Sequence, residues 1–76
     1  MSKLTSLFAS VLNIEEAKIT AELSPENTSA WDSLNSIVLV TEIEKAYEVK
    51  FEYDEVMAIK NFVDVEKLLI SKGKQP

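Results

Sequence analysis

The sequence contains no cysteine, no histidine and no arginine, and a single glycine. Each absence narrows the function. Without cysteine there is neither a disulfide nor a thiolate metal ligand. Without histidine the usual general base and the usual zinc ligand are both missing. The only glycine is Gly73, so there is no glycine-rich phosphate loop and no calcium loop of the EF-hand type. Apart from lysine, the acid-base candidates are carboxylates scattered along the chain. They form no constellation that suggests catalysis. No apolar run approaches membrane-spanning length, and Met1-Ser2-Lys3 leads directly into an amphipathic pattern instead of a signal peptide. The expectation is a cytoplasmic monomer with no membrane insertion.

What is present fits one small domain. The 76 residues allow a single core, expected to span 1–76 with 73–76 as a frayed tail. The apolar fraction is ordinary for a globular protein. Asp and Glu number 13 against 8 lysines, a formal charge of −5. A field of that sign repels nucleic acid and anionic lipid, and favours partners with a basic docking patch. Stability must come from helix contacts alone, so it is expected to be modest.

Leu4, Leu7, Phe8, Val11 and Leu12 recur with helical spacing on one face. Ser2 suits the cap before them and Asn13 the left-handed stop after them. From Asn13 to Asp32 the pattern lapses, with Ile14, Ile19 and Leu23 as isolated anchors. Ser24-Pro25-Glu26 reads as a cap, a first helical proline and an acid, predicting one short helical turn. Trp31 is expected to plug the core under this long connection.

The second helix is predicted from about Asp32 to Glu48, free of Gly and Pro. Asp32 or Ser33 is its cap; with Asp32 there, Ser33 becomes the first helical residue with its hydroxyl toward solvent. A phosphate on that hydroxyl would lie at the positive end of the helix dipole. Leu39, Val40, Ile43 and Tyr47 should meet the first helix, while Leu34, Ile37, Val38 and Thr41 lie to one side. A helix this broadly apolar is either buried on most sides or offers a side to a partner. Val49 to Tyr53 alternates like a strand, but with no second strand it reads as an extended link. Asp54 to Ile59 predicts a short third helix starting near Tyr53 or Asp54. Asn61 caps a fourth, with Phe62, Val65, Leu68 and Leu69 as core and Gly73 as stop. The fold class is therefore all-α: a small bundle of three main helices and one short one, with a long first loop.

The chain resembles the acyl carrier proteins from Leu4 to Ile70. The resemblance centres on Trp31-Asp32-Ser33-Leu34, which matches the family's Asp-Ser-Leu at the start of the second helix. Ile43-Glu44, the short third helix and Asn61-Phe62-Val63-Asp64 support it. The resemblance implies a four-helix bundle that carries acyl groups on a covalent 4′-phosphopantetheine arm derived from coenzyme A. Ser33 would be the attachment serine, Asp32 would cap the helix and contact the phosphopantetheinyl transferase, and Leu34 would be an apolar partner contact. Reactive thiol and catalysis would then belong to the arm and the partners.

Further partners implied are a loading ligase and ketosynthase or acyltransferase enzymes with basic patches. Glu42, Glu44, Glu48, Asp54 and Glu55 are the docking acids expected around the second and third helices. Ile59 and Met57 are candidates to line the arm or acyl groove, with core burial the first expectation for Met57. Carriers of fatty-acid synthesis usually place acids two and five residues after the serine; here Asn35 and Val38 stand there, both expected as docking residues on the partner-facing side with Leu34, Ile37 and Thr41, pointing to a specialised lipid or polyketide pathway. An aminoacyl, D-alanyl or peptidyl carrier shares the same serine, and a helical adaptor without an arm, binding through Leu34, Ile37 and Val38, is the reading from a different class.

Overall fold

The computed structural model describes residues 2–76. Its first helix, α1 (Lys3–Leu12), begins where Ser2 Oγ accepts the Thr5 N–H at 3.2 Å, and ends at Asn13 in the left-handed conformation at φ 56°. Both ends are the ones the residue types favour. Leu4, Phe8 and Leu12 are buried along one face.

The long connection holds a one-turn 3₁₀ helix at Glu16–Lys18. Glu16 ties it to α1, accepting from Thr5 Oγ1 at 3.2 Å and Ser6 Oγ at 2.9 Å. The helical turn expected at Pro25-Glu26 does not form; residues 25–27 make a plain turn. The reason lies in Asn27. Its Oδ1 accepts the Ser24 N–H at 3.0 Å and its Nδ2 donates to the Glu22 carbonyl at 2.7 Å. A side chain that serves the backbone in this way competes with helix continuation. Ile19, Leu23 and Trp31 are buried as expected.

The second helix, α2 (Ser33–Tyr47), is capped by Asp32 and closes at Glu48 with φ 54°. Leu39, Ile43 and Tyr47 are buried, and Val40 is half-buried. The following link is extended, with no strand among the described residues. It is held by Glu44, whose Oε2 accepts the Phe51 N–H at 2.9 Å. The short third helix, α3 (Tyr53–Met57), stops before Ile59 and starts where Glu55 reaches back to the Glu52 N–H at 2.7 Å. The last, α4 (Phe62–Ser71), is capped by Asn61, which accepts the Asp64 N–H at 2.9 Å. Phe62, Val65 and Leu69 are buried; Leu68, expected with them, is only half-buried. Gly73, at φ 78°, lets Lys74 N–H return to the Leu69 carbonyl at 2.9 Å. Beyond it, where fraying is expected, the Pro76 carbonyl lies 3.2 Å from Tyr47 Oη and 3.4 Å from Leu4 N.

These elements make the all-helical bundle that the sequence predicts. At its centre the Phe8 ring meets Trp31 edge-to-face at 5.2 Å and Phe62 at 4.9 Å. Such pairs add about 0.5–1.5 kcal/mol each beyond area burial. Removing a fully buried phenylalanine ring costs roughly 3–5 kcal/mol. A small domain has only about 5–15 kcal/mol in total. Phe8→Ala is therefore expected to lower the urea midpoint sharply, whereas Tyr53→Ala, at an exposed side chain, leaves it nearly unchanged.

Candidate functional site

The site is built at the junction of the long connection and α2. Asp32 has extended backbone angles (φ −97°, ψ −176°), and its Oδ1 accepts the Asn35 N–H at 2.9 Å. Its carbonyl accepts the Ser36 N–H at 2.9 Å, starting the helix. Ser33 is thereby the first helical residue, and it is exposed. Helix geometry gives the N–H groups of Ser33 and Leu34 no acceptor within the helix. The Ser33 hydroxyl thus stands at the positive end of a helix of 15 residues, where an anion is stabilised.

Asn35 is not the free partner contact that its position suggests. It is half-buried, and its Nδ2 donates to the Ala30 carbonyl at 2.7 Å. The side chain pins the last turn of the connection to α2. An aspartate there would bring a carboxylate against that carbonyl, so asparagine at this position has a structural reason. Leu34, Ile37 and Val38 are exposed at 70%, 66% and 38%. Thr41 lies on the same exposed side, its hydroxyl donating to the Ile37 carbonyl at 2.9 Å.

A groove runs from Ser33 between α2 and α3. Ser36, Ile37, Val40 and Thr41 form one wall; Val56, Met57 and Ile59 form the other. Met57 is 61% exposed, which overturns its expected burial in the core and puts it at the groove's rim. Ile59 is half-buried in the wall. Ser36 and Val56 were not singled out from the sequence, although Ser33, Ser36 or Ile37, and Val40 follow helical spacing.

The expected docking acids divide into two groups. Glu44 is occupied by the Phe51 N–H. Glu55 binds the Glu52 N–H and forms an ion pair with Lys72 at 3.0 Å. The hydrogen bond from Glu52, and then Lys72, hold the Glu55 carboxyl below its ordinary pKa. Glu48 and Asp54 are exposed, and Glu42 makes only a loose 3.9 Å contact with Lys45. Among the described residues no cluster of acids is placed to hold a metal, and no helix is long and apolar enough to cross a membrane.

An exposed serine at a helix start, opening onto an apolar groove, suits a module that carries a flexible covalent group. The hydroxyl is exposed, and the groove beside it offers an apolar wall. Comparison with known proteins agrees. The family described as "Phosphopantetheine attachment site" matches residues 2–69. The "Acyl carrier protein" of Brachyspira hyodysenteriae strain WA1 is 33% identical over 70 residues, spanning 91% of this chain and 90% of the relative. A second "Acyl carrier protein" from Brachyspira hyodysenteriae matches to the same extent. The chain belongs to the acyl carrier protein family, and its cofactor is phosphopantetheine.

The lowered pKa of Glu55 gives a test of the clasp between α3 and α4. A carboxylate with a depressed folded pKa contributes stability above its unfolded value, and loses it as pH falls through the folded one. Glu55→Gln is therefore expected to melt below wild type near neutral pH. The gap should close on acidification, vanishing only once the pH has fallen below the ordinary glutamate range and through the lowered folded pKa of Glu55. Parallel thermal melts across that range check it.

Proposed function

We propose that this protein carries acyl groups as thioesters on a phosphopantetheine arm attached to Ser33. The observation that carries this reading is the place of Ser33: exposed, first in α2, beside the apolar groove, in a chain of this family. Ser33 Oγ attacks the phosphorus of coenzyme A that bears the pantetheine. A Ser33 O–P bond forms, the bond to the nucleotide moiety breaks, and the Ser33 proton passes to a base of the transferase. The transferase also supplies the metal. Asp32 holds the first turn so that the hydroxyl faces outward, and its carboxylate lies beside the approaching enzyme. Once bound, the arm supplies a terminal thiol for thioester formation. The chain itself supplies no catalytic group and acts as a protein-bound substrate of its partners in the cytoplasm.

Coexpression with a phosphopantetheinyl transferase is expected to add the mass of one phosphopantetheine, and Ser33→Ala to abolish the gain. No gain with transferases of either broad type would favour an armless adaptor. An aminoacyl or peptidyl carrier remains the second reading on the same serine, separated by which ligase loads the arm.

Partners dock on the exposed side of α2. Leu34, Ile37 and Val38 supply apolar contact, and Glu42, Glu48 and Asp54 are the acids left to meet lysine or arginine. Such charge contacts act mainly on association rate and weaken with salt. The apolar Val38 favours a specialised pathway over housekeeping fatty-acid synthesis, because a basic ketosynthase patch finds no carboxylate there. An exposed ion-pair contact is worth about 0.5–1 kcal/mol, or about two- to fivefold in rate. Acylated wild type is expected to be a poor substrate for a fatty-acid elongation ketosynthase, and Val38→Glu better by that factor. Wild type working at a housekeeping rate would refute the specialised assignment. Asn35 is left unchanged in this comparison because its amide holds Ala30.

A further inference from the structure

The corner that carries Ser33 is held by little of the regular helix. The first N–H groups of a helix have no acceptor within it. The first backbone bond of α2 runs from the Ser36 N–H to the Asp32 carbonyl at 2.9 Å. Two side chains supply the rest. Asp32 Oδ1 accepts the Asn35 N–H at 2.9 Å, and Asn35 Nδ2 donates to the Ala30 carbonyl at 2.7 Å. Asn35 is thus bonded through its backbone to one neighbour of Trp31 and through its side chain to the other. Trp31 itself is fixed in the core against Phe8. The two bonds close residues 30–35 into a ring that contains Ser33 and is anchored by the tryptophan.

General helix preferences do not select asparagine at this place. An acid in the first turn gains from the helix dipole, and alanine is the better helix former. Neither can make the bond to Ala30. A carboxylate offers no donor. It would set an oxygen against the Ala30 carbonyl and a second negative group one turn from Asp32. The half-buried Asn35 side chain therefore serves the corner instead of the dipole.

We propose that Asn35 is a positioning residue for phosphopantetheinyl transfer: its amide holds residues 30–35 closed, and the closed corner is the form of Ser33 that the transferase accepts. Asn35 acts through the backbone on either side of the serine. Helix ends open at little free-energy cost. When one of two closing bonds is lost, the closed fraction falls. Apparent affinity for a partner that takes only the closed form then falls by the same factor. The net contribution of a neutral hydrogen bond corresponds to a factor of about two to ten. This inference rests on attachment at Ser33 as proposed above.

The test measures transfer from coenzyme A to the full-length wild type, Asn35→Ala and Asn35→Asp by a phosphopantetheinyl transferase, at low and at moderate salt. Trp31 fluorescence establishes that each variant is folded at the assay temperature. Both variants are expected to raise KM about two- to tenfold with kcat near that of wild type. For Asn35→Ala the factor should be the same at both salt concentrations. Protection of the Ser36 N–H against solvent exchange, followed by NMR, should fall in parallel. A docking role for this position would instead leave Asn35→Ala close to wild type and make Asn35→Asp the better substrate, most of all at low salt. Either of those results would overturn the inference. So would a fall in Ser36 protection with transfer unchanged, because the bond would then serve the fold alone. In all these cases wild type still gains its arm and the carrier function stands. Wild type that gains no phosphopantetheine would overturn the attachment at Ser33 and this inference with it.

Discussion

Phe8 makes two edge-to-face contacts at once, and the rest of the molecule is arranged around them. One ring, Trp31 at 5.2 Å, comes from the end of the long connection; the other, Phe62 at 4.9 Å, opens α4. A third tie completes the arrangement, because the Phe62 N–H donates to the Leu23 carbonyl at 2.8 Å. Helix α1 thereby holds both the connection and the last helix against α2. Trp31 is 4% exposed, and Ser33, two residues later, faces solvent. Between them Asp32 turns an extended chain into a helix within one residue. The presentation of the serine is thus anchored by a ring in the core, and Asn35 pins the same corner from the helix side.

The surface of α2 is divided between the core and solvent. Its buried stripe of Leu39, Ile43 and Tyr47 meets the bundle, while Leu34 and Ile37 stay mostly in water. Exposed apolar side chains at helical spacing next to a modifiable hydroxyl are consistent with a surface meant to be covered transiently. The acids are less uniform than their number suggests. Glu44 and Glu55 work inside the fold, one fixing the link to α3 and the other clasping α4 through Lys72. Fewer carboxylates are left unengaged than the formal charge implies.

Most of the architecture was legible in the sequence because local signals agree with the fold. Ser2, Asn13, Asp32, Asn61 and Gly73 all stand where caps and stops require them, and the 3.6-residue period selects the buried stripes of α1, α2 and α4. The connection is less legible. A Ser-Pro-Glu signature for a helix start is local, and it lost to Asn27, which bonds the backbone on both sides of Leu23. The bond made by Asn35 and the exposure of Met57 are not legible for a related reason. Helical spacing gives a side chain's direction but not its hydrogen-bond partner, so the bond to Ala30 was invisible. It also gives no depth to a helix as short as α3, whose end at Met57 leaves that side chain at the groove's rim. The groove wall at Val56 belongs to α3 and the facing wall to α2, so no single helical window of sequence contains both.

The central claim is that the fold offers Ser33 alone, of its several serines, for the phosphodiester. Ser36, one turn away, faces the groove, and Ser29 lies in the preceding connection. Tandem mass spectrometry of peptides from the transferase-modified protein, with fragmentation that retains the phosphodiester, tests this most directly. The account predicts fragment ions that place the whole adduct on Ser33. An adduct on Ser29 or Ser36 would contradict it.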